Sequence, residues 1–100
     1  MKALLFYDIA PTGASRLAAN LPGHHARLQE FQARGAVFMA GPFGQPPTGA
    51  LVVFNSVQAA EEFVAADPLV FNGVVTAHRI QPWSELLQPD TEPAPAASLL

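Results

Sequence analysis

Three short segments of this chain, "KALLFYDI", "AVFMAG" and "ALVVFN", are apolar on both sides of the strands they would form. Successive side chains of a strand point to opposite faces. Leu4 and Phe6 therefore share a face with Asp8, while Leu5, Tyr7 and Ile9 take the other; Val37 and Met39 oppose Phe38, and Leu51 and Val53 oppose Val52 and Phe54. A sheet wetted on one side alternates apolar with polar residues. These strands do not, so both faces of their sheet require cover.

The rest of the chain limits what can supply that cover. "KALLFYDI" predicts a strand at residues 2–9, and "APTGAS" after it is turn chemistry. Pro22 suits a first helical position. From there Leu21, His24, Leu28 and Phe31 recur on one face with His25, Gln29 and Gln32 on the other, until Gly35 stops a helix of about three to four turns. Strands at residues 36–41 and 50–55 flank "PFGQPPTG", whose prolines and glycines make a long hairpin connection and a candidate lid. Ser56 caps a second helix over 56–66, with Val57, Ala60, Phe63 and Val64 on one side and Pro68 as its breaker. "VVTAHRIQ" is a last strand, polar as an edge strand tends to be.

The order βαββαβ is the α+β, ferredoxin-like arrangement: a four-stranded antiparallel sheet, first and third strands central, with two helices on one face. Four strands at about 4.8 Å spacing make a sheet roughly 20 Å wide, and two helices of about 10 Å diameter roof only one side of it. An apolar patch of that size is rare on a monomer, so the open face is expected to pack on the same face of a second copy, as a homodimer.

One hundred residues, half of them apolar, make one compact domain. It is expected over residues 1–84, with a Pro/Ala-rich tail at 85–100 that lacks periodicity and reads as disordered or loosely docked. Five Lys and Arg residues and a formal charge of -3 offer no basic stripe, which argues against nucleic acid and anionic membranes as partners. With no cysteine there is no disulfide, thiolate metal site or Cys nucleophile. Asp8 interrupts the apolar N-terminus before a signal core is reached, and no run approaches the ~20 apolar residues of a membrane span. A cytoplasmic location is the expectation.

Chemistry concentrates on few residues. In "LPGHHARLQEFQARG" the adjacent His24 and His25 point about 100° apart, so they cannot share one task. His24 follows the apolar line toward the sheet; His25 points to solvent. Near the helix start, desolvation and the helix dipole would disfavour a cationic His24 ring, leaving it a proton acceptor. A core histidine with one hydrogen bond is the plain alternative. Asp67 before Pro68 caps a short helical turn, or orients His24 and compensates its charge. Asp8 lies in line with Leu4 and Phe6 at a strand end, where the chain leaves the core or a carboxylate is used. Tyr7 reads as packing, and His78 beside Arg79 as surface. Adjacent histidines lack the spacing of a helical metal pair, neither "GPFG" nor "GQPPTG" continues as a phosphate loop, and no Ser sits in a nucleophile elbow.

"PGHHARLQEFQARG", "AVFMAGPF" and "VAADPLVFNGVVTAHRIQPW" together resemble the YciI-like (YCII-related) family over about residues 2–84. The resemblance implies dimeric α/β barrels, with His24 and Asp67 as a catalytic His–Asp pair in a pocket. Relatives carry an Arg shortly before the histidine where Leu21 stands here, which weakens recognition of an anionic substrate unless Arg16 reaches the pocket. The family implies a lyase or isomerase acting by proton transfer or elimination on a small carbonyl or carboxylate compound. Asp8 would be a lesser polar contact, Pro42 and Phe43 would line the mouth, and no cofactor is needed. The alternative is a noncatalytic protein that binds a metabolite in the same pocket; a haem-using relative is weaker, for want of a distinctive ligand.

Overall fold

A computed structural model of the chain describes residues 1–88, so most of the expected tail, residues 89–100, lies outside the described residues. The order is β1 (Lys2–Ile9), α1 (Pro11–Ala14), α2 (Leu17–Ala33), β2 (Val37–Phe43), β3 (Gly49–Phe54), α3 (Val57–Ala65), α4 (Pro68–Phe71) and β4 (Val75–Trp83). The strands form one antiparallel sheet in the order β2-β3-β1-β4, which puts the first and third strands at the centre, as their apolar character requires. This is the ferredoxin-like α+β fold, decorated by two one-turn helices. Among the described residues no helix is long and apolar enough to cross a membrane.

The first long helix departs from the sequence expectation. It begins at Leu17, and Pro22 lies inside it. A proline there forfeits only its own bond to the carbonyl one turn back, and the helix formers Leu17, Ala18 and Ala19 carry the extra turn. Its end is as expected: Gly35 adopts φ 78°, and the Gly35 and Ala36 amides bond back to Gln32 and Phe31 at 2.9 and 2.8 Å.

The strands reach further than expected at both sheet edges. β2 runs through Pro42 to Phe43, and β4 through Pro82 to Trp83. Edge strands tolerate proline because one side of their backbone needs no partner. The hairpin connection shrinks accordingly to residues 44–48, closed by the Thr48 amide on the Phe43 carbonyl at 2.8 Å.

Between sheet and helices lies the core. Leu5, Tyr7, Val52 and Phe54 meet Phe31 of α2 and Ala60 and Phe63 of α3, all essentially sealed from solvent. Phe31, Phe54 and Phe63 pack with ring centroids 5.2 to 6.3 Å apart, each burial worth about 1.5–3 kcal/mol. Arg27 reaches across from α2 to the Phe63 and Glu62 carbonyls at 3.1 and 2.8 Å, tying the two helices together where α3 ends.

The opposite sheet face carries no helix. Register places Leu4 and Phe6 beside Val53 and Leu51, with Met39 next in line on β2. Met39 is 65% exposed, and Phe43 and Trp83 are exposed too. The Arg79 guanidinium lies 4.1 Å from the Phe6 ring, a partial cover made by one long side chain.

Candidate active site

His24 stands on the sheet-facing side of α2, buried at 6% exposure. Asp67, wholly buried, reaches it from the start of α4. His24 Nδ1 lies 2.9 Å from Asp67 Oδ2 and 3.1 Å from Oδ1. A carboxylate only accepts, so Nδ1 is the donor, and in the neutral ring the lone pair is then on Nε2. Among the described residues no side-chain N or O is both sealed from solvent and unpaired, and His24 Nε2 has no hydrogen-bond partner. Nε2 is therefore open to solvent.

What it opens toward is a cavity of about 370 Å³ between α2, the sheet and the β2–β3 connection. Leu17, Leu21 and Leu28 form one wall, Ile9, Val52 and Leu69 line the interior, and Pro42 and Pro47 stand on the side of the connection. Among the described residues no Lys, Arg, Asp or Glu lines it. Two imidazoles, His24 held from behind by a carboxylate and His25 beside it, thus stand in the wall of a chamber that is otherwise lined by apolar residues and glycine.

Asp67 combines a helix cap with a contact to His24. Its Oδ1 accepts the Leu69 amide at 3.2 Å, capping α4, while the same carboxylate holds His24. It also accepts a bond the sequence reading missed: Tyr7 Oη donates to Oδ2 at 2.7 Å. Burial pushes the Tyr7 hydroxyl's acidity far down, and the Asp67 charge adds to it, so Tyr7 remains a hydroxyl donor at any working pH. The signal lay in the β1 alternation, which puts Tyr7 between Leu5 and Ile9 on the helix side, where a hydroxyl demands a partner.

The other candidates sort by geometry. Pro42 lines both the cavity and a shallow depression on the open sheet face. Phe43, outside the cavity lining, borders that depression with Met39, Leu51 and Val53. Asp8 is exposed, and the register puts its side chain with Phe6, across the sheet from Tyr7 and outside the cavity lining. Arg16 lies at the start of α2 with its guanidinium bonded to the Asn72 and Gly73 carbonyls at 3.1 and 2.8 Å, not in the cavity. His24 sits two turns into α2, so the helix-start argument about its charge does not apply. His25 is exposed as expected, yet it also lines the cavity, its ring centroid 5.8 Å from that of His24. Among the described residues no three His, Asp, Glu or Cys side chains gather as a metal set.

Solved structures place the fold. A 5-chloro-2-hydroxyhydroquinone dehydrochlorinase from Burkholderia phenoliruptrix AC1100, solved in complex with 2,5-dihydroxybenzoquinone, superposes with a TM-score of 0.70 at 21% identity, over 84% of this chain and 94% of that one. A protein assigned as an antibiotic biosynthesis monooxygenase from Bacteriodes thetaiotaomicron gives 0.55 at 15% identity, over 92% and 94%. Both likenesses are of fold. No curated protein matches the sequence. The family model for the YCII-related domain matches residues 1–84, and the chain belongs to the YCII-related family.

Proposed function

We propose that this protein is a cofactor-free lyase or isomerase that moves a proton on a small carbonyl-bearing ring or acid, with His24 as base and acid and Asp67 orienting it. The observation that carries the reading is a carboxylate-held histidine with an unpaired Nε2 in the wall of a mostly apolar cavity, which it shares with His25. As base, Nε2 takes a proton from carbon or oxygen next to the carbonyl. The imidazolium so formed keeps Asp67 at hydrogen-bond distance, in surroundings that strengthen the attraction. The electron pair left on the substrate either expels a leaving group, completing an elimination, or takes the proton back at another position, completing an isomerisation. No electrons are gained or lost overall.

Size fits this chemistry. The cavity of about 370 Å³ is more than twice the roughly 150 Å³ that holds benzene in an engineered core, which leaves room for a substituted six-membered ring. The dehydrochlorinase that shares the fold acts on such a ring. Among the described residues no Lys or Arg lines the cavity, which favours a neutral carbonyl compound over a carboxylate. In this reading the protein works as a homodimer, the open sheet faces of two copies packed together, with Phe43 in the interface rather than at the substrate.

The test uses 5-chloro-2-hydroxyhydroquinone as probe, with chloride release followed directly and hydrogen exchange on 2,5-dihydroxybenzoquinone followed by NMR in heavy water. Loss of turnover by about 10²–10⁴-fold in a folded His24→Ala protein is expected. Turnover unchanged in His24→Ala refutes the assignment, and compounds that bind without any proton exchange establish a noncatalytic binding protein instead.

A further inference from the structure

Tyr7 could be phenylalanine without loss of packing, since its ring lies among Leu5, Ile9 and the core aromatics. Its hydroxyl is what needs a reason. The oxygen is spent on one contact, with Asp67 Oδ2, and that same carboxylate oxygen receives His24 Nδ1 at 2.9 Å. Two donors on one oxygen share its charge: each weakens what the carboxylate offers the other.

We propose that Tyr7 is a positioning residue that sets the proton affinity of His24 through Asp67. The inference rests on reading His24 as the acid/base group. By taking part of the Asp67 charge, the Tyr7 hydroxyl lessens the stabilisation available to a His24 imidazolium, so the ring releases its proton more readily after each cycle. The other titratable or charged groups near His24 are His25, beside it on α2, and Arg27, whose guanidinium is engaged by the Glu62 and Phe63 carbonyls of α3. Neither touches the Asp67 carboxylate, leaving Tyr7 as the side chain that modulates the pair from behind.

The test needs no substrate. Tyr7 is the one tyrosine in the sequence, so growth on 3-fluorotyrosine alters this hydroxyl alone, making it a stronger donor with almost no change in shape. Tyr7→Phe removes it. Imidazole titrations by NMR in the intact chain, with exposed His78 as internal reference, report His24 directly. In Tyr7→Phe the His24 midpoint is expected to rise by about half to one pH unit, and in the fluorotyrosine protein to fall. A His24 midpoint that stays within about 0.2 units in the fluorotyrosine protein, or falls in a folded Tyr7→Phe protein, overturns the proposal. If Tyr7→Phe does not fold, the fluorotyrosine shift decides alone. These shifts are read without catalysis, so a failure of the lyase or isomerase reading shows separately, as turnover that survives His24→Ala.

Discussion

Replacing Asp67 by Ala should cost this protein far more than a typical substitution, and the structure says how much. Three buried donors converge on that carboxylate: the Tyr7 hydroxyl at 2.7 Å, His24 Nδ1 at 2.9 Å and the Leu69 amide at 3.2 Å. Each donor left without a partner costs about 1–3 kcal/mol, and because they share one site their sum is expected near 3–5 kcal/mol. A domain of this length has about 5–15 kcal/mol in total, so Asp67→Ala sits close to unfolding. Asp67→Asn is the control. Asparagine caps a helix as well as aspartate, and its amide can face the Tyr7 oxygen and His24 Nδ1 as a donor, so its loss should be about 1–2 kcal/mol. With its NH2 in the place of Oδ2 it also reverses the ring: His24 Nδ1 then accepts, and the proton moves to Nε2. Urea unfolding at fixed protein concentration, followed by the fluorescence of Trp83, the one tryptophan, gives both stabilities. Nitrogen-15 NMR of the imidazole gives the tautomer. An Asp67→Ala protein within about 1 kcal/mol of the parent that also keeps Nδ1–H would show that the carboxylate does not organise these groups.

The remaining predictions concern the sheet. Light scattering should find twice the 10.6 kDa chain mass, and Met39→Glu, at a side chain 65% exposed in one protomer, should halve it without unfolding the chain; a native monomer in dilute solution removes the paired-sheet reading. Gly49→Ala should destabilise by roughly 1–3 kcal/mol, since a Cβ there would meet the Tyr7 carbonyl oxygen at 2.3 Å, backbone against backbone; an unchanged urea midpoint contradicts this.

The sheet was legible because period-two patterns are local. Leu4 and Phe6 against Leu5, Tyr7 and Ile9 assign both faces of β1 with no knowledge of its neighbours, and the same holds for β3. Helix limits were less so. Pro22 has the chemistry of a first position, but whether a helix starts there depends on what precedes it, and Leu17–Leu21 are good enough helix formers to extend it. Pro42 reads from the sequence as part of the connection, yet it lies within the end of β2, an edge strand whose free backbone side tolerates it. At the site, the helical line through Leu21, His24, Leu28 and Phe31 turned His24 inward as found. Tyr7 escaped notice because its partner lies 60 positions away in the chain and no spacing rule connects them. Arg16 was offered to the pocket on reach alone; two carbonyls of the turn before β4 hold it elsewhere.

Asp67 joins segments far apart in the chain, 43 positions from His24 and 60 from Tyr7. During synthesis the first strand and long helix emerge well before their carboxylate, so neither the ring's orientation nor the phenol's bond can exist on a partial chain. Long-range contacts of this kind form only after their loops close. A fragment ending before α4 would carry the histidine without its tautomer fixed, and the buried trio of Tyr7, His24 and Asp67 would assemble only as folding reaches completion.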